Sequence, residues 1–124
     1  MTLSDAERIA VAQAYIDALV SHRGDDVAFA DDCVRIEMGL KTGFSGNHLR
    51  RSLNRGPQFR LIAAATAPQY RIDGDRVHAR YDVITKPRLA GRRVGAHVDE
   101  TFVIPPGDGR IHHIGARMRA FIQR

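Results

Sequence analysis

The sequence predicts an α+β fold: a long N-terminal helix, one or two short helices, and a curved antiparallel sheet of four to six strands wrapped around the long helix. Three observations predict it. A capped amphipathic segment opens the chain, strand-like alternation runs from Phe59 onward, and glycine-bearing turn signals cut that alternation into hairpins. With 124 residues and a hydrophobic share of 44%, the chain is expected to be one domain with a core of normal size.

The helix begins at Ser4-Asp5-Ala6-Glu7, the S-x-x-E spacing in which each end residue's side chain satisfies the other's free backbone N–H. It should run to about His22 and stop at Gly24. Val11, Tyr15, Ala18 and His22 fall on one side at helical spacing, with Ala12, Ile16 and Leu19 beside them. Tyr15 thus sits on the buried stripe. A second short helix is expected from Asp25 to Ala30, before Asp31-Asp32 turns the chain.

Cys33 to Met38 reads as a strand whose apolar row, Val34, Ile36 and Met38, should face inward, leaving Cys33, Arg35 and Glu37 outward. A one-residue shift would exchange the rows, so Glu37 stands as the alternate to Met38. Cys33 itself reads as a small buried hydrophobe. Gly39 to Gly46 reads as a loop, and His48 to Arg55 as a short helix capped by Ser45 or Asn47 and closed by Gly56-Pro57.

Phe59 to Thr66 is apolar and alanine-rich, and its type stays open. Tyr70 to Ile72, the turn Asp73-Gly74 and a return strand from Arg76 to Lys86 make a hairpin, because glycine accepts the positive φ of a tight turn. Pro87 to Gly91 is a turn. The next strand alternates Val94, Ala96, Val98, Glu100, Phe102 and Ile104, a buried row broken by one carboxylate. Slipping the register by one residue would present Asp99 instead. After the turn from Pro105 to Gly109, a last strand places His112, Ile114, Ala116, Met118, Ala120 and Ile122 in one row.

Charge and composition narrow the function classes. The formal charge of +5 comes almost wholly from arginine, but the arginines are scattered from Arg8 to Arg124 without interleaved aromatics, which argues against nucleic acid as partner. No apolar run has the length of a membrane span, and no signal peptide is read at the N-terminus. With Cys33 as the sole cysteine, a cytoplasmic location is expected. His112 and His113 are adjacent on a strand and point to opposite faces, and no H-x-H or H-x-x-x-H spacing occurs, so no metal and no cofactor are expected.

The chain resembles the nuclear transport factor 2-like superfamily, and within it the SnoaL-like polyketide cyclases and ketosteroid isomerases. The resemblance rests on Ala10 to Leu19 along the first helix, Phe29-Ala30-Asp31-Asp32 leading to Val34-Arg35-Ile36-Glu37, Gly91 to Ile104, and Gly107-Asp108-Gly109-Arg110-Ile111. It implies a cone-shaped sheet, with Tyr15 at the isomerases' hydrogen-bonding tyrosine and Glu100 where they hold a protonated aspartic acid. Their catalytic base aligns without a gap on Met38, which cannot take a proton. It also implies a homodimer through the outer sheet face, where Ile111, Val103 and Phe121 fall on outward rows.

The residues therefore support an acid–base site built from Tyr15, Glu100 and His112, with Glu37 and Asp99 as alternates. The expected pocket lining is Val11, Leu19, Ile36, Met38, Tyr81, Val98, Phe102, Ile114 and Met118, enclosing a small apolar or polyketide- or steroid-like ligand. A non-catalytic ligand-binding or dimerisation module using the same cavity is the competing reading.

Overall fold

The computed structural model describes residues 2–123. Helix α1 spans Asp5–Ser21, and its capping box is complete: Glu7 N–H donates to the Ser4 hydroxyl at 3.2 Å and Ser4 N–H to the Glu7 carboxylate at 3.0 Å. His22 ends it in the left-handed conformation (φ 61°), its N–H bonded to the Ala18 carbonyl. The expected second helix is instead a single 3-10 turn at Gly24–Asp26, because the first strand already begins at Phe29.

Among the described residues seven strands follow: β1 (Phe29–Glu37), β2 (Leu40–Gly43), β3 (Ile62–Ala65), β4 (Gln69–Asp73), β5 (Arg76–Leu89), β6 (Arg92–Val103) and β7 (Ile111–Ile122). Helix α2 (Gly46–Arg55) and the four-residue α3 (Pro57–Arg60) lie between β2 and β3. Ser45 caps α2, accepting from His48 N–H at 3.0 Å. Seven strands exceed the expected four to six because β2 arises within the glycine-rich stretch read as a loop and β3 within the alanine-rich stretch.

The strands form one curved, unclosed sheet ordered β2-β1-β7-β6-β5-β3, with β4 also paired to β5. All pairings are antiparallel except β1 with β7. The last strand therefore lies between the first strand and the central hairpin.

Helix α1 lies over the sheet and buries Ala12, Tyr15, Ile16, Ala18 and Leu19. Arg8 is buried too: its guanidinium donates to the Ile104 carbonyl and the Gly74 carbonyl, both at 2.7 Å. That ties the start of α1 to the end of β6 and to the β4–β5 turn. The core continues through Phe29, Val77, Phe102, Ile104, Ile111 and Ile114. Ile111, expected on the outward face, is fully buried because Phe29 pairs with it where β1 meets β7. Val103 stays half-buried, as does Phe121, whose ring stacks on His97 at 4.4 Å.

The row assignment of β1 is reversed relative to expectation. Between Phe29 and Val34 the strand slips against β7, five positions on β1 facing two on β7. At the end of that bulge Cys33 is fully buried, and downstream of it Arg35 is fully buried while Met38 is 60% exposed. Met38 (φ 51°) and Gly39 (φ 80°) form the tight turn into β2, which carries the methionine away from the interior. Among the described residues, no helix is long and apolar enough to cross a membrane.

Candidate functional site

The β6 register resolves one alternative in favour of Glu100, which is 3% exposed and projects under α1, while Asp99 points out from the opposite face. The β1 reversal resolves the other in favour of Glu37. The two carboxylates share one transverse row: Glu37 pairs with Ala116 on β7, and Ala116 with Glu100 on β6. Two strand spacings separate them, about 10 Å between Cα positions. The small side chain of Ala116 leaves the space between them open.

Arg35 joins the two elements. Its guanidinium is completely buried and lies 3.3 Å from Glu37 Oε1. It donates to the Thr42 hydroxyl at 3.1 Å, the Thr42 carbonyl at 3.2 Å, the Tyr15 hydroxyl at 3.3 Å and Ser52 Oγ at 3.4 Å. The Phe59 ring covers it at 5.0 Å. Burial disfavours its charge, but Tyr15, Glu37 and Glu100 outweigh that and hold its pKa above the ordinary arginine value. Gly43 makes this possible, since a Cβ there would lie 2.4 Å from Leu49 and 2.9 Å from the Arg35 Cβ. Thr42 also donates to Glu37 Oε1 at 2.6 Å, so this carboxylate is oriented from two sides.

Glu100 has different neighbours. The Tyr81 hydroxyl donates to its Oε1 at 2.5 Å, and among the described residues no cation is within ion-pair distance. Burial pushes its pKa up to about 7 from 4.5; the Tyr81 bond opposes this, the Glu37 charge adds to it, and Arg35 opposes it more weakly. Burial also raises Tyr81 well above its ordinary value, and does the same for Tyr15, which packs edge-on against Phe29 and Phe102. Both phenols are therefore neutral, Tyr81 donating to Glu100 and Tyr15 accepting from Arg35.

These groups surround a cavity of about 50 Å³ lined by Tyr15, Leu19, Glu37, Phe59, Ile62, Tyr81, Val83, Val98, Glu100, Ala116 and Met118. It has room for a few water molecules, well short of a whole polyketide or steroid.

Of the expected lining residues, Leu19, Tyr81, Val98 and Met118 are in place. Phe102 and Ile114 are packed behind the cavity in the core. Val11 is only half-buried on α1 and does not reach it. Ile36 and Met38 face the other side of the sheet, because the β1 bulge turns their row outward. His112 is not at the site: its Nε2 pairs with Asp108 at 2.7 Å in the preceding turn, and both side chains are partly solvated. Among the described residues, no three His, Cys, Asp or Glu side chains stand close enough to hold a metal ion.

Arg35 and Phe59 were missed from the sequence. Cys33 carried the signal for Arg35: a buried cysteine on a strand with a two-residue period brings Arg35 and Glu37 to the inner side with it.

Residues 2–118 match the family model described as Domain of unknown function (DUF8021). The chain belongs to that family. No curated protein matches this DUF8021 chain. Solved structures do, at the level of fold. An LEH-like epoxide hydrolase of M. tuberculosis is 22% identical, over 92% of this chain and 84% of that one, with a TM-score of 0.73. AclR, a putative hydroxylase from Streptomyces galilaeus, is 17% identical over 94% and 81%, with a TM-score of 0.68. A putative SnoaL-like polyketide cyclase from Shewanella denitrificans is 14% identical over 90% of each chain, with a TM-score of 0.67. This DUF8021 chain thus has the nuclear transport factor 2-like fold that its sequence resembles.

Proposed function

We propose that this protein is a cofactor-independent acid–base catalyst acting on a small neutral molecule that presents an oxygen to the cavity. The observation that carries the reading is the shared row of Glu37 and Glu100, two carboxyl groups in one enclosure with opposite surroundings. Glu37 touches a fixed guanidinium, whereas Glu100 is buried and bonded to a phenol. Pairs whose environments differ in this way divide acid and base roles between them.

Glu100 is the acid and gives its proton to the substrate oxygen. Glu37 is the base, with Arg35 and Thr42 as its positioning residues. The cavity's size favours water addition over the handling of a large skeleton. In that reaction Glu37 takes a proton from water, the water oxygen bonds to carbon, and the carbon–oxygen bond of a strained cyclic ether breaks as Glu100 protonates the leaving oxygen. Exchange through cavity water returns the proton from Glu37 to Glu100. The M. tuberculosis protein of similar fold is described as an epoxide hydrolase, which agrees with this version. Isomerisation or cyclisation would use the same pair, with Glu37 taking the proton from carbon.

The competing reading is a non-catalytic module that binds a ligand or pairs with a second copy through the outward sheet face. The near-filled cavity and the internally satisfied Arg35 network favour it. Turnover of a panel of small epoxides and enones decides between them. Conversion that Glu100→Gln and Glu37→Gln each abolish supports catalysis. Binding without conversion, or conversion that neither substitution changes, overturns it.

A further inference from the structure

The sheet face turned away from α1 is rich in arginine at its centre. The pairing register aligns Arg71 on β4, His78 on β5, Thr101 on β6 and Gly115 on β7 in one transverse row. The neighbouring row carries Arg80, Asp99 and Arg117, and the next carries Asp82, His97 and Arg119. Side chains along one strand face point the same way at every second position, so all of these share one surface.

Acidic groups neutralise only part of this charge. Asp99 pairs with Arg80 at 3.7 Å and Asp82 with His97 at 2.7 Å. Arg71, Arg117 and Arg119 have no acidic partner within ion-pair distance among the described residues.

The surface also carries a groove. This groove of about 750 Å³ has Arg71 and Arg117 among its lining, along with His78, Thr101, Gly115 and one carboxylate, Asp99, whose charge is engaged by Arg80, and the β1–β2 turn at Met38 closes one side. Gly115 keeps it open: a Cβ there would meet nothing nearer than 4.0 Å. The His78 ring is held by its Nδ1 to the Thr101 hydroxyl at 2.9 Å, which fixes it in the middle of the row.

Arginine forks set on different strands match an anion with more than one charged group, because each planar guanidinium can grip a carboxylate or phosphate through two N–H bonds. The groove has the size of a metabolite site. We propose that it is a binding site for a small dianionic or polyanionic metabolite, a diphosphate or a dicarboxylate, clamped between Arg71 and Arg117. The site is separate from the Glu37–Glu100 cavity, on the opposite side of the sheet.

Calorimetric titration of the full chain with pyrophosphate and with succinate, at low and raised salt, tests this. Arg71→Gln and Arg117→Gln alter exposed side chains and leave the core untouched. Expected is saturable binding of at least one probe, weakened by added salt and about tenfold or more by each substitution, while Glu100→Gln binds as the wild type does. The proposal is overturned if neither probe binds at millimolar concentration, or if binding ignores both substitutions. It is equally overturned if a single-stranded oligonucleotide binds where neither small anion does. A dimer that both substitutions strengthen and neither anion dissociates would assign the face to a second copy instead.

Discussion

The Tyr81 hydroxyl donates to Oε1 of Glu100 across 2.5 Å, and that bond decides which carboxyl oxygen can carry the acid proton. With Oε1 occupied as an acceptor, the proton is left to Oε2. Removing the phenol with Tyr81→Phe takes away a bond that holds the Glu100 pKa down, so the pKa should rise above about 7. Carbon-13 NMR titration of the glutamate carboxyls reads this directly. A pKa that stayed put or fell would contradict the assignment.

Glu100 should also make stability depend on pH. Its pKa is raised on folding from 4.5 to about 7, so the folded state binds more protons across that interval. The resulting stabilisation is complete below about 4.5 and is lost as pH rises through about 7, a change of about 3 kcal/mol. In Glu100→Gln that contribution is absent. Urea denaturation of both proteins at pH 4.5 and pH 8 should show the wild type losing stability relative to the variant at the higher pH. A constant difference between them would remove the buried-acid description.

Arg35 is the cation on which the base side depends. Replacing it with methionine leaves the Glu37 carboxylate without its cation and the Tyr15 hydroxyl and Thr42 carbonyl without the guanidinium donor. The expected loss is about 3–5 kcal/mol, the usual cost of breaking a buried pair from one side. Adding Glu37→Gln should recover part of that loss, because the two residues are coupled. Strict additivity in chemical denaturation would show that the pair does not act as a unit.

Met38 holds a left-handed backbone (φ 51°) with its side chain 60% exposed. Glycine adopts that conformation without the Cβ clash, so Met38→Gly should cost little packing and stabilise the fold by up to about 1 kcal/mol. A drop in the unfolding midpoint would mean that its thioether contact with the Met118 N–H outweighs the backbone strain.

Much of this was legible in the residues themselves. Ser4 and Glu7 fixed the helix start because a capping box is local, and Asp73-Gly74 marked its hairpin because a positive φ needs few residue types. Glu100 could be placed because β6 alternates without interruption from Val98 to Ile104, so its neighbours declare its face. Glu37 and Arg35 were harder. Their orientation follows from a bulge against β7, a strand far away in sequence, and hydropathy favoured the wrong row. His112 failed for a related reason: it shares the parity of Ile114 and Ala116, yet the preceding turn supplies Asp108 and holds the ring there. Parity along a strand predicts a face only where the strand is regular on both sides.

The insertion of β7 between β1 and β6 has a consequence for how the molecule comes into being. Glu37 is made early and Glu100 late, yet no strand pairing joins β1 to β6 until the final strand has slotted between them. A nascent chain on the ribosome would hold both acids without a shared chamber, although every partner of Arg35 (Tyr15, Glu37, Thr42, Ser52 and Phe59) is made before β3. Chemistry of the kind proposed would switch on as an all-or-none event at the end of folding, with no partly active precursor.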